Sequence, residues 1–294
     1  MSYREQAIVF PCAGESLLGV VAAPAAPLTT GVLIVVGGPQ YRAGSHRQFI
    51  LLARALAAAG YPALRFDYRG MGDSTGAARD FTAIDDDIAA ALTAFHQHCP
   101  QLERIVLWGL CDAATASLLY WERRRDAAIG GLILLNPWAR SAATLARTHI
   151  KHYYLRRLKQ GEFWRKLLAG RLGLSRALGE LAGNWRRARQ PADAVAEAEL
   201  PFQQRMLRGL AAFPGPSLLI LSGNDYTAKE FLEACRNDPI ATAALANPGL
   251  SRIDMAAADH TFSSRALRQT VEAATLDWLR RALPGSARQC RGEM

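Results

Sequence analysis

The chain has 294 residues, half of them hydrophobic, which is enough to bury a large core in one domain that carries an insertion. Its 24 Gly and 14 Pro residues exclude collagen-like and low-complexity classes. The five cysteines are scattered without a CxxC pair, so neither disulfides nor zinc are predicted, and we expect a cytoplasmic protein without a signal peptide or membrane span.

The net charge of +9 is concentrated in one segment. Residues 138–209 contain 12 Arg and 3 Lys against 5 acidic residues, whereas the rest of the chain has 20 basic and 21 acidic residues. A basic face across a whole domain would indicate nucleic-acid binding, but a local patch without a reading motif does not. We therefore expect no nucleic-acid partner.

Short apolar runs alternate with amphipathic helical patterns along most of the chain. Residues 7–24 predict two strands that turn at 13–15. The other predicted strands cover 31–38, 62–68, 104–110, 131–136, 217–222 and 251–255, and the predicted helices cover 47–59, 85–98, 113–124, 228–236 and 270–283. This alternation predicts an α/β fold with a mostly parallel, doubly wound sheet and helices on both faces.

The alternation stops at Trp138 and resumes after Phe213. Residues 138–213 are basic and rich in Leu, Arg and Trp with a helical pattern, so we predict an inserted helical cap there. The core then consists of residues 1–137 and 214–283, and residues 284–294 form a tail that we expect to be mobile.

The segment Ile105–Ala114 has the pattern of a nucleophile elbow. An apolar strand ends, one residue stands between small neighbours, and a helix begins; the residue at the tip is Cys111. A thiol at a helix N-terminus is favoured as the thiolate, although the adjacent Asp112 opposes this if it points inward. The alternative is a buried structural cysteine, since cysteine is among the most buried residue types.

Two further residues complete a catalytic triad with Cys111. Asp225 follows the predicted strand 217–222, and His260 follows the strand 251–255. The carboxyl ends of parallel strands are where α/β sheets gather their sites. A thiol nucleophile needs a base and the base needs an orienting carboxylate, so we assign these roles to His260 and Asp225. Taken singly, either residue could be structural.

These features resemble the α/β-hydrolase superfamily over essentially the whole chain. The pair Gly37-Gly38 follows a strand, and the turn DYRGMGDS at 67–74 is similar to the D-x-R-G-x-G-x-S turn of that superfamily. From this we expect Asp67 and Arg69 to pair. The chain departs from the wider pattern at Cys111 and at Ala113, which replaces a glycine; dienelactone hydrolases also have a catalytic cysteine at the elbow.

A closer resemblance is to the exosortase A system-associated hydrolases, type 1. The stretch GGPQYRAGSHRQF at 37–49, the DYRGMGDS turn and the GLCDA elbow carry the match. The resemblance implies a Gram-negative bacterial context of exopolysaccharide production and exosortase protein sorting. It names no substrate.

The loop after the strand 31–38 is expected to lie over the site. One oxyanion donor should be the N–H of Asp112 and the other Gln40, through its backbone or its side chain, because Pro39 has no N–H. The alternative is that the loop is only a turn. Substrate contacts are assigned to four residues: Gly38, Tyr41, Arg42 and His46. Arginine grips carboxylate or phosphate well; the alternative is that Ser45 caps a helix among solvated charges.

Three interpretations remain for the basic cap. It could dock on the anionic leaflet of the inner membrane, close over an acidic, lipid-linked or saccharide substrate, or present solvated charges. For the protein we predict a hydrolase of an ester, thioester or lactone acyl group without a metal or organic cofactor. Acyl transfer to a sugar hydroxyl by the same triad, or a non-catalytic scaffold in exopolysaccharide assembly, are the alternatives.

Overall fold

In the computed structural model of the protein, residues 2–38, 40–140, 200–236 and 238–284 are described. Among them, residues 2–138 and 201–284 belong to one compact unit. Most of the predicted cap, and the predicted tail from residue 285 onward, lie outside the described residues. No helix within the described ranges is long and apolar enough to cross a membrane.

The described residues form one eight-stranded sheet. Its order is β1-β2-β4-β3-β5-β6-β7-β8, with β2 antiparallel to β1 and β4 and the other neighbours parallel, which confirms the predicted doubly wound α/β architecture. The strands are β1 (Tyr3–Cys12), β2 (Glu15–Pro24), β3 (Thr30–Val35), β4 (Ala63–Phe66), β5 (Arg104–Leu110), β6 (Ile129–Leu135), β7 (Ser217–Ser222) and β8 (Leu250–Met255).

Helices cover both faces of this sheet. One core cluster joins Phe49, Leu52 and Leu56 of α1 to Trp278 and Leu279 of α7, while α2 and α3 contact each other over the opposite face. The helices within the described residues are α1 (Gln48–Ala58), α2 (Asp85–His98), α3 (Asp112–Arg124), α4 (Phe202–Ala212), α5 (Tyr226–Arg236), α6 (Pro239–Leu245) and α7 (Arg265–Ala282).

The first hairpin shows how a tight turn sets the register of two strands. Ala13 and Gly14 both have positive φ angles, 50° and 84°, as a two-residue hairpin turn of the primed type requires. Pairing then extends without a break from Cys12–Glu15 to Tyr3–Pro24. Strand β1 begins four residues earlier than predicted, because residues 3–6 are exposed on an edge strand and show no apolar alternation.

Two helices differ from the sequence prediction. Helix α4, which we had placed within the cap, packs against α3 in the compact unit. Gly209 permits this approach, since a Cβ there would lie 2.4 Å from the carbonyl oxygen of Leu118. Helix α6 was not predicted; it is short and is capped by the Asp238 carboxylate, which accepts from the N–H groups of Ile240 and Ala241.

Candidate active site

Cys111 occupies a strained turn between β5 and α3. Its backbone has φ 64° and ψ −125°, a conformation that non-glycine residues rarely adopt. Its N–H donates to Leu135 at 2.8 Å, and its carbonyl accepts from Ala114 at 3.1 Å and Trp138 at 3.2 Å. These bonds hold the strained residue in place, so the geometry is that of a nucleophile elbow.

The small residues of the elbow are required by close packing. A Cβ on Gly109 would lie 2.6 Å from the carbonyl carbon of Ala113 and from the nitrogen of Ala114. The helix α3 therefore begins directly against the end of β5. This contact leaves the Cys111 side chain at the tip of the turn, where it is partly exposed.

The structure brings Cys111, His260 and Asp225 together at one site. The Nδ1 atom of His260 lies 2.8 Å from Oδ2 of Asp225, and Cys111 is close enough to His260 to contribute to its pKa. The other oxygen of Asp225 accepts from the N–H of Thr227 at 3.0 Å. The three residues lie beyond the carboxyl ends of β5, β7 and β8, where the sequence placed them.

The electrostatics of the pair favour a charged histidine. The hydrogen bond with Asp225, followed by that with Cys111, raises the pKa of His260 from 6.5 to about 10, against the lowering effect of burial. Burial alone would raise the pKa of Asp225, but the hydrogen bond and charge of His260 outweigh it and bring that pKa below 3.8. At neutral pH the proton therefore stays on His260 beside an ionised Asp225.

Sequence reasoning missed two residues that position His260. The Asn136 amide donates from Nδ2 to the Ser222 hydroxyl at 2.9 Å and to the His260 carbonyl at 3.2 Å, and its Oδ1 accepts from the N–H of Ser222. Asn136 is fully buried with φ 44°, which asparagine tolerates better than most residues. These two residues could have been found from the sequence, because each is a polar residue at the end of an apolar strand: Asn136 follows β6 and Ser222 ends β7.

The predicted oxyanion donors are only partly brought together. The N–H of Asp112 opens helix α3 beside Cys111, as expected. From the loop after β3, however, it is the N–H of Gly38 that reaches this place, donating to Oδ2 of Asp112 at 2.8 Å. The side-chain oxygen of Gln40 instead accepts from the N–H of Ser45 at 3.1 Å, within the loop. Pro39 lies outside the described residues.

Arg42 ties the β3 loop to the glycine-rich turn that follows β4. Its guanidinium pairs with Asp67 and with Asp73, and its N–H donates to Asp67 at 2.6 Å. The side chain is thus engaged by two carboxylates of the protein rather than held free above the site. Tyr41 and His46, the other proposed contacts of this loop, have exposed side chains.

The predicted pairing of Asp67 with Arg69 is wrong. Arg69 forms a bidentate, buried ion pair with Asp87 of α2, with nitrogen–oxygen distances of 2.7–3.1 Å. The chain leaves β4 at Phe66 and turns at Arg69, so Asp67 faces Arg42 whereas Arg69 is directed at Asp87 of α2. The glycine-rich turn is therefore held by two ion pairs with other elements, Asp67 with Arg42 and Arg69 with Asp87.

The other described cysteines differ sharply from Cys111. Cys12, Cys99 and Cys235 are buried. Burial raises the pKa of the Cys99 thiol to about 11 and that of Cys235 to about 12. Across the parts of the chain that the structure describes, no three His, Cys, Asp or Glu side chains are grouped as metal ligands would be.

Comparison with known proteins identifies the fold and the family. A comparison with curated proteins found no match. Among solved structures, the chain resembles the Pyrococcus furiosus esterase Pf2001 (15% identity, 96% of this chain and 94% of that chain, TM-score 0.63). It also resembles a thermophilic esterase from Thermogutta terrifontis (22% identity, 94% of this chain and 99% of that chain, TM-score 0.56). A third similar structure is XC6422 from Xanthomonas campestris, described as an a/b serine hydrolase without lid (15% identity, 97% of this chain and 98% of that chain, TM-score 0.58). Residues 32–274 match the Alpha/beta hydrolase family, and the chain therefore belongs to that family.

Proposed function

We propose that the protein hydrolyses carboxylic esters or thioesters with Cys111 as the nucleophile. The observation that carries this proposal is the placement of Cys111 beside His260, whose ring is hydrogen-bonded to the buried Asp225. The names of two structural neighbours, both esterases, support an ester-like substrate. The strained backbone at Cys111 adds support, because strain of this kind clusters at functional sites.

The residues suffice for a two-step acyl transfer to water. The Cys111 thiolate attacks the acyl carbon, and the tetrahedral intermediate collapses to a thioester on Cys111 while the His260 imidazolium gives its proton to the leaving alkoxide or thiolate. Neutral His260 then takes a proton from water as the hydroxide attacks the thioester. Collapse releases the carboxylic acid and returns the thiolate and the imidazolium. Asp225 keeps His260 oriented throughout.

We also propose that the acyl group belongs to an anionic saccharide or lipid-linked compound of exopolysaccharide production. The three sequence stretches shared with exosortase A system-associated hydrolases support this context. The basic segment 138–209 supports an anionic substrate, or contact with an anionic inner-membrane surface, because guanidinium groups bind such anions well. Faster hydrolysis of acidic than of neutral acyl thioesters would be the expected result.

Alkylation by iodoacetamide tests the Cys111–His260 pair directly. We expect Cys111 to label fast at neutral pH, and His260→Ala to remove this advantage. His98→Gln is the matched control, since His98 also has a hydrogen-bonded ring nitrogen but lies on α2. A Cys290→Ser background removes the cysteine outside the described residues. Labelling at the rate of an ordinary thiol, unchanged in His260→Ala, would contradict the proposal, and Cys111→Ala should abolish thioester turnover.

A further inference from the structure

The Asp112 carboxylate accepts a hydrogen bond from the loop that carries the second oxyanion donor of the proposed reaction. In that reaction the substrate oxygen would accept from the N–H of Asp112 and from an N–H of the β3 loop. Oδ2 of Asp112 already accepts the N–H of Gly38 at 2.8 Å. The N–H groups of Ala113 and of Asp112 itself also interact with this carboxylate. An oxygen of the protein therefore takes a loop N–H that the oxygen of the intermediate would need.

The loop is shaped around this carboxylate. A Cβ on Gly37 would lie 2.1 Å from Oδ1 of Asp112, so only glycine leaves room for the carboxylate at this position. Oδ1 is completely buried and lacks a hydrogen-bond partner among the described residues. Buried polar atoms are normally hydrogen-bonded, so the unpartnered Oδ1 requires an explanation beyond the capping of helix α3.

From these contacts we propose that Asp112 is an internal occupant of the oxyanion pocket that restrains turnover until the acyl group displaces it. The inference rests on the proposed function, since it concerns the same reaction. It also explains why Gly38 has its N–H directed at Asp112. The side chain of Asp112 thus acts against the reaction for which its own backbone N–H is needed.

The unfavourable burial of the Asp112 carboxylate favours its replacement by a substrate oxygen. Burial raises the pKa of Asp112, and the N–H groups of Gly38, Ala113 and Asp112 offset this only in part. Asp80 and the buried Tyr68 also face it; burial, followed by the charge of Asp112, raises the pKa of Tyr68 to about 12. The carboxylate is thus poorly stabilised where it lies, so a substrate oxygen that takes its hydrogen bonds relieves an unfavourable burial.

Removal of the carboxylate should increase turnover. One oxyanion donor is typically worth about 10²–10³ in rate, so we expect Asp112→Ala to raise kcat/KM for p-nitrophenyl acetate by ~10-fold or more. Asp112→Asn keeps an oxygen for Gly38 and should raise it less than Asp112→Ala. Asp112→Ser, whose hydroxyl is one bond shorter, replaces Asp112→Ala if that variant does not fold. Asp277→Ala, which removes an exposed carboxylate on α7, is the matched control.

Two readouts separate this inference from the proposed function. Iodoacetamide is attacked without an oxyanion, so Cys111 labelling reports only on the Cys111–His260 pair. Fast labelling that depends on His260, together with equal or lower turnover in Asp112→Ala, would overturn the inference and leave the proposed function standing. The amide proton of Gly38 gives a reading independent of catalysis: its NMR signal should move upfield in Asp112→Ala, and an unchanged signal would refute the occupied pocket.

Discussion

Asp225→Asn tests the effect of the Asp225 carboxylate charge on His260. The asparagine keeps the size of the side chain but removes the negative charge from the atom that lies 2.8 Å from Nδ1 of His260. Because the hydrogen bond with Asp225 is the largest contribution to the pKa of about 10, that pKa should fall toward 6.5 in the variant. The imidazolium beside Cys111 would then be lost near neutral pH.

The expected loss of stability follows from the same shift. Each pKa unit corresponds to about 1.4 kcal/mol, but the His260 side chain is 37% exposed and shares the shift with Cys111, so solvent screening reduces the part due to Asp225 to about 1–2 kcal/mol. The raised pKa of His260 stabilises the folded protein fully below pH 6.5. This stabilisation is lost as the pH rises through about 10.

The contribution of Asp225 has the opposite pH dependence. The lowered pKa of Asp225 stabilises the folded protein above pH 3.8. This stabilisation is lost as the pH falls through the lowered pKa. Both contributions are therefore present between about pH 4 and pH 6.5. The difference in free energy of unfolding between the parent protein and Asp225→Asn should be largest in this window and shrink toward about pH 10.

Urea unfolding at about pH 5.5, 8 and 10, followed by circular dichroism, measures this difference. The Hε1 resonance of His260, assigned with His260→Gln, reports its pKa directly in both proteins. Asp277→Asn, which alters an exposed carboxylate on α7, should shift neither quantity. A His260 that titrates near 6.5 in the parent protein, or equally in both proteins, would refute the reasoning.

Three further substitutions test the supports of the site. Gly109→Ala should destabilise the protein by about 1–3 kcal/mol and slow Cys111 labelling, because the new Cβ meets the backbone of α3; retained stability in urea would contradict the close packing. Asp87→Asn should cost about 3 kcal/mol in the same assay, because the buried Arg69 guanidinium loses its bidentate partner and keeps only Asp86, at 3.9 Å. Asn136→Ala should cost about 1–3 kcal/mol and lower thioester turnover, since the Ser222 hydroxyl and the His260 carbonyl lose a buried donor; unchanged turnover would mean that Asn136 does not position His260.

Local patterns were enough to predict most of the elements. The bounds of α2, β5 and β7 agree with the predicted ranges, because each has a clear apolar period and polar or turn residues at its ends. Helix α6 was missed because seven residues provide too little periodicity. Asp225 and His260 could be predicted as site residues because each follows a strand, and the carboxyl ends of parallel strands lie along one edge of the sheet.

The sequence by itself determined the α/β alternation and the elbow around Cys111, since both depend on short-range patterns. The ends of parallel strands lie along one sheet edge, so the sequence also predicted that Asp225 and His260 lie near Cys111. Only the tertiary structure decided which distant groups pair: Arg42 with Asp67, Arg69 with Asp87, Asn136 with the His260 loop, and Asp112 with Gly38. A side chain's partner across 18 to 124 residues depends on the direction in which each backbone presents it and on what must be excluded from the core. Neither is encoded in the local sequence pattern.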